Sequence, residues 1–83
     1  MAGMSVLLHR VDPQENVSRF YLVTVGPSLL DAYAVLRVWG RIGGYERSMV
    51  SPCASAEEAQ ALADRLVCRR IRRGYWIVSS GDK

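Results

Sequence analysis

With one histidine, two cysteines and a single lysine, these 83 residues are short of three side chains common in catalysis and metal binding. His9, Cys53 and Cys68 stand far apart, without the spacing of a metal site, and none is expected. No apolar run approaches the roughly 20 residues of a membrane helix. Residues 1–8 lack both a basic n-region and a long apolar h-region, which argues against a signal peptide. A chain kept in a reducing cytosol leaves both cysteines as free thiols. Neither Gly40-x-x-Gly43-Gly44 nor Gly74 matches a P-loop or a dinucleotide fingerprint. The carboxylates Asp12, Glu15, Glu57 and Glu58 fall at turns and at a helix start, where capping and the helix dipole favour them. His9 lies in an alternating strand and reads as a structural or surface residue rather than a base. Cys68 sits among helix arginines with no base or oxyanion site beside it. No catalytic centre and no cofactor are therefore expected.

What is present reads as one globular domain. Apolar residues make up 49% of the chain and alternate with charges instead of clustering. A chain of this size hides roughly 60–65% of its unfolded surface, enough for one small core. The domain is expected to span 1–83, with its core at about 5–78 and a flexible tail at 79–83. The net charge is +3, and ten of the eleven basic residues are arginine, whose planar fork grips phosphate in bidentate fashion. Five arginines and no acid lie between Arg65 and Arg73. Such a run suits a phosphate patch, and it equally suits a solvated helix C-terminus, where the dipole favours cations.

The order of elements is legible. Residues 6–11 read as a strand closed by Asp12-Pro13-Gln14. The β-branched and aromatic run at 19–25 is a second strand, broken by Gly26-Pro27-Ser28. A third strand over 33–42 leads into Gly43-Gly44, a tight reversal. A weaker strand at 46–50 ends at Ser51-Pro52. Ser55-Ala56-Glu57-Glu58 is a capping box. Ala59, Leu62, Ala63, Leu66, Val67 and Ile71 then recur at helical spacing, and Gly74 stops the helix. Tyr75-Trp76-Ile77-Val78 adds a last short strand or packs as a tail. The fold class is α+β: an antiparallel sheet of four to five strands with one long helix packed across one face.

The third strand carries the chemistry. Alternation puts Ala34, Leu36, Val38, Gly40 and Ile42 on one face and Arg37, Trp39 and Arg41 on the other. The apolar face is expected to meet Leu62, Leu66 and Ile71 of the helix. A guanidinium–indole–guanidinium stripe suits a ligand with both negative charge and flat surface, and nucleic acid has both. A sheet-covering tryptophan flanked by snorkelling arginines has the same pattern.

These residues form an ordered set: Arg19-Phe20-Tyr21, Leu36-Arg37, Trp39-Gly40-Arg41-Ile42-Gly43, the alanine-containing helix after Ser55, and Arg72-Arg73-Gly74-Tyr75. From about 16 to 75 the set resembles the WGR domain, nearest its short bacterial branch. This module occurs in DNA-damage-activated poly(ADP-ribose) polymerases and as a free-standing bacterial protein. The resemblance implies nucleic-acid contact, with the motif tryptophan and arginine against the end of a duplex and its backbone. By motif position these roles fall on Trp39 and Arg41. Tyr75 matches the family's Gly-Tyr ending, and Asn16 is a looser match upstream of the aromatic pair. Arg69, Arg70 and Arg73 occupy the family's lysine-rich stretch. Where many relatives have a Gly-x-x-Gly-Gln-like turn, this chain has Gly43-Gly44-Tyr45-Glu46-Arg47, which places an acid at the expected ligand surface.

The expected function is thus a non-enzymatic nucleic-acid-binding module for duplex DNA ends or nicks, with RNA as the other nucleic-acid partner. Arg37, Arg41 and the helix arginines would neutralise phosphates, and Trp39 would stack on an exposed sugar or base pair. The alternative is a protein-interaction adaptor, or a homo-oligomerising module, using the same surface. No membrane partner is expected.

Overall fold

The computed structural model describes residues 4–29 and 31–82. Five strands form one antiparallel sheet: β1 (Met4–Asp12), β2 (Val17–Pro27), β3 (Tyr33–Arg41), β4 (Glu46–Cys53) and β5 (Trp76–Asp82). Their order across the sheet is β4-β3-β2-β1-β5, so the first four make a meander and β5 returns to pair with β1. The helix α1 (Ala56–Arg72) crosses β2, β3 and β4 on one face.

Local chemistry sets each end of α1. Ser55 is extended, and its Oγ accepts from the Glu58 amide at 3.1 Å. Glu58 Oε1 reaches back to the Ala54 amide at 2.8 Å, so the two side chains satisfy two orphan donors at the helix start. At the other end the Tyr75 amide donates to the Arg70 carbonyl and the Gly74 amide to the Ile71 carbonyl, with Gly74 at φ +97°. This is a Schellman stop, which needs a residue free to adopt left-handed backbone.

The helix lies on the face opposite to the expected one. The buried side chains of the sheet are Val6 and Leu8 on β1, Tyr21, Val23 and Val25 on β2, and Val35 on β3. Register puts Val35 beside Val25, and Tyr21 beside Trp39, so the helix-covered face of β3 carries Tyr33, Val35, Arg37, Trp39 and Arg41. Leu36 and Ile42 are 36% and 38% exposed. The cause is visible on β2, where both faces are apolar: Phe20, Leu22 and Thr24 alternate with Tyr21, Val23 and Val25. Alternation on β3 alone does not determine which side the helix takes; the packing of α1 on the paired strands β2, β3 and β4 does.

Ala59, Ala63 and Leu66 are the buried row of α1, with Leu62 and Val67 half-buried beside them. Ile71, expected in that row, is 46% exposed, because the buried row continues through Arg70 and Ile71 stands one residue off it. Leu66→Ala is therefore expected to cost about 2–4 kcal/mol, and Ile71→Ala at most about 0.5 kcal/mol, in urea unfolding. Equal losses at the two positions would contradict this packing.

Further boundaries differ from the sequence reading: Gly26 and Pro27, expected to break the second strand, are its last residues and pair with Ala34 and Tyr33. β4 continues through Ser51 and Pro52 to Cys53, which pairs with Tyr33. Proline is tolerated there because β4 is an edge strand and its missing N–H leaves no ladder bond unmade. Residues 79–82, expected as tail, belong to β5, where Ser79 pairs with Leu7 and Ser80 with Val6.

Candidate nucleic-acid interface

Hairpin register assembles the centre of the site. Tyr21 on β2 stands beside Trp39 on β3, and Arg19 stands beside Arg41. Across the next ladder Trp39 meets Arg47 of β4. All five side chains are on the helix-covered face, at the end where α1 stops. Arg70 continues the Ala59–Ala63–Leu66 row by one more turn, so it lands where that row leaves the aliphatic core. Its guanidinium carbon lies 4.2 Å from the Tyr21 ring centroid and 5.6 Å from that of Tyr75. A cation so placed is held by the negative face of the ring. The Tyr21 centroid is 6.5 Å from those of both Trp39 and Tyr75, tilted to the first and edge-on to the second. Tyr21 and Tyr75 are buried, whereas Trp39 is half-buried and packs on the margin of the core.

Asn16 fixes Arg41. Asp12 caps a 3-10 turn at Pro13–Glu15, accepting from the amides of Gln14 and Glu15, and Asn16 closes it in left-handed backbone at φ 56°. Asparagine tolerates that conformation better than most residues. In consequence its carbonyl and its Oδ1 both face Arg41, accepting from Nη1 at 3.4 Å and Nη2 at 3.3 Å. The fork is thereby oriented while Arg41 stays exposed.

The triplet Trp39-Gly40-Arg41 has a steric logic that alternation alone did not reveal. Trp39 and Arg41 face the helix side, and Gly40 faces away, under the turn that leads into β4. A Cβ on Gly40 would stand 2.1 Å from the Tyr45 carbonyl oxygen and 2.8 Å from the Glu46 Cα. That turn is closed by the Arg41 amide donating to the Tyr45 carbonyl and the Gly44 amide donating to the Arg41 carbonyl. The sequence placed an acid at the ligand surface through Glu46, but register pairs Glu46 with Gly40, on the opposite face from Trp39 and Arg41.

The structure thus gathers Trp39, Arg41, Asn16, Tyr75 and Arg70 at one end of one face. It does not bring Arg37 or Arg69 into that group. Arg37 is half-buried and donates to Met49 Sδ and to Ser51 Oγ at 3.5 Å, with its Nε buried and without a hydrogen-bond partner. Arg69 lies with Arg65, Cys68 and Arg72 on another row of α1. Arg73 is the exposed C-cap. Three residues outside the sequence-derived set join the surface. Arg19 and Arg47 enter through cross-strand pairing and Tyr21 as the ring behind Trp39. Arg19 and Tyr21 left a trace in the Arg19-Phe20-Tyr21 run, and Arg47 in the turn sequence Gly43-Gly44-Tyr45-Glu46-Arg47.

The two cysteines are free. Cys53 is buried, and burial, followed by the charges of Glu58 and Asp31, holds its thiol above the ordinary value, so it stays protonated and inert. Among the described residues no group of three or more His, Cys, Asp or Glu is placed to hold a metal ion, and no helix is long and apolar enough to cross a membrane.

An antiparallel sheet with one helix, ending in a shelf of rings and arginines, defines a small binding module. The chain belongs to the WGR domain family, whose profile matches residues 4–82. Modules of this family are in general of a nucleic-acid-binding type and are not catalytic domains. The chain is also 35% identical over 68 residues to the uncharacterized protein y4dW of Sinorhizobium fredii. That match covers 82% of this chain and 33% of the relative, so the chain spans about a third of that protein's length. No solved structure matches at a significant level.

Proposed function

We propose that this domain binds nucleic acid through the Trp39–Arg41 end of its helix-covered face, with a preference for duplex DNA ends or nicks. The observation that carries this reading is the Asn16–Arg41 pair, which holds an exposed guanidinium fork beside a backed tryptophan. Arg19 on β2, Arg41 on β3 and Arg47 on β4 neutralise phosphates of the ligand. Trp39, supported from behind by Tyr21, covers a sugar or base-pair face that only an end or a nick exposes. Arg70 and Tyr75 position that aromatic shelf, and Arg73 adds charge at the helix stop. Arg69 contributes charge at longer range. Arg37 serves the sheet and not the ligand.

The test separates charge from stacking. Removing one cation from a phosphate flattens the dependence of log affinity on log salt by about 0.9. Arg41→Ala is expected to flatten the slope by that amount and to weaken all nucleic acids alike, while Arg69→Ala does less. Trp39 carries no charge, so Trp39→Ala is expected to leave the slope unchanged and to abolish the preference for ends, an interaction of about 1–3 kcal/mol by analogy with base stacking. Competition between linear and closed circular DNA at two salt concentrations measures both, with circular dichroism confirming that each variant is folded. A parent that shows no preference for linear over closed DNA removes the end-binding role. A parent whose affinity is independent of salt removes nucleic acid altogether and leaves a protein partner for the same surface.

A further inference from the structure

The sheet has a second face, and its composition is different. Register places every strand arginine (Arg10, Arg19, Arg37, Arg41 and Arg47) on the helix side. Among the described residues, the helix-free face carries no arginine at all, and its only titratable side chains are His9 and, at one corner, Glu46. Its centre is apolar: Leu7, Leu22, Leu36, Val38, Val50 and Trp76. Leu7, Leu22 and Val38 are only half-buried. Leu36, Val50 and Trp76 are 36%, 62% and 48% exposed.

Five strands about 4.8 Å apart, with nine residues rising about 3.3 Å each, give this face a projected area of about 700 Å². The largest apolar patch on a typical monomer is about 300–600 Å². A stable protein–protein interface takes about 800 Å² from each partner. Taken whole, with its serines, Thr24 and His9, the face approaches what one side of a dimer buries, and its apolar centre forms part of that area.

We infer that the helix-free face joins two copies of this chain, sheet against sheet, in a two-fold dimer. Absence of arginine removes nucleic acid as the occupant, because phosphate binding rests on cations. The face carries no charge at its centre that demands an opposite charge on a partner, so it is complementary to itself, as an isologous interface must be. Two such sheets stack about 10 Å apart with interdigitating aliphatic side chains, as the two halves of a β-sandwich do. Each copy is a cation of net charge +3. Face-to-face pairing keeps the five strand arginines of each copy on the outer sides, where their repulsion across the interface is least. The dimer then presents two Trp39–Arg41 surfaces pointing away from each other.

Sedimentation equilibrium of the full chain across the micromolar range tests this. The expected species is twice the 9.3 kDa chain mass. Leu36→Lys and Val50→Lys each bring two like charges into the paired sheets and are expected to weaken dimerisation by about a hundredfold or more, equivalent to about 2.7 kcal/mol. Both keep the helix-side surface, so binding of one short duplex per chain persists. Val50 is the more exposed of the two and carries the comparison if Leu36→Lys does not fold. Isotope-filtered NOEs between labelled and unlabelled parent copies supply the direct readout, expected at the methyls of Leu22, Leu36 and Val38. A parent of 9.3 kDa throughout the range overturns the inference. So does a dimer that survives both lysines, or one whose intermolecular NOEs fall on α1 or the Arg41 surface.

Discussion

Tyr21→Ala is expected to lower the unfolding free energy by about 3–5 kcal/mol, the range for deleting a large aromatic from a core. Tyr21 is 1% exposed and is the largest of the fully buried side chains. Its ring stands where the aliphatic core meets the aromatic end of the sheet. On one side it belongs to the core cluster, beside its cross-strand neighbour Leu8. On the other it backs Trp39 and Tyr75 and accepts the Arg70 guanidinium on its face. Truncation leaves a cavity and removes the favourable site for a half-buried cation. A domain of this size has a total stability of about 4–12 kcal/mol, so one substitution removes a large share of it. Urea unfolding measures the loss. Tyr21→Phe keeps ring, volume and cation–π contact and is expected to stay within about 1.5 kcal/mol of the parent. A Tyr21→Ala loss under about 1 kcal/mol would falsify the keystone role of this ring. Under conditions where the alanine variant remains folded, the proposed stacking surface also loses its backing, and the preference for DNA ends falls with it.

The second large effect is expected at Gly40. Here a single methyl group is too much, for reasons of room and not of backbone freedom, since Gly40 is not among the residues with positive φ. The added Cβ meets a carbonyl oxygen at 2.1 Å and a Cα at 2.8 Å. Both belong to the backbone and have no rotamer to escape into. The turn from Arg41 to Tyr45 must open, breaking the two hydrogen bonds that close it. Overpacking of this kind costs about 1–3 kcal/mol, and with rigid backbone as the obstacle the upper end is expected for Gly40→Ala. Gly44→Ala is the control: its Cβ would come no nearer than 3.3 Å, to the Arg41 Cβ, a contact relieved by a shift of a few tenths of an ångström, and a smaller loss follows. Thermal unfolding of both variants decides the matter, and a Gly40→Ala protein as stable as the parent refutes the steric reading of the triplet. Because Arg41 anchors that same turn, its hold on Asn16 loosens too, and nucleic-acid affinity is expected to drop further than stability alone explains.

Much of the molecule is determined locally. The Ser55 cap, the Glu58 return hydrogen bond and the Gly74 stop act within a few residues, so the sequence by itself set the helix and its ends. Asp12-Pro13 likewise specified the turn after β1, and β-branched and aromatic runs specified the strands. What the local pattern did not contain was the side of the sheet on which α1 lies. Both faces of β2 are apolar, so alternation there has two equivalent solutions, and only the packing of Ala59, Ala63 and Leu66 against Val23, Val25 and Val35 selects one. That choice put the Arg37–Trp39–Arg41 stripe on the helix side and left Ile71 off the buried row. Strand register gathered Arg19 and Arg47 around Trp39 and set Arg37 beside Met49, because cross-strand neighbours come from segments distant in the chain. The residues of the surface are written in the sequence. Their meeting at one end of one face is a product of pairing and packing, which couple positions that no local spacing connects.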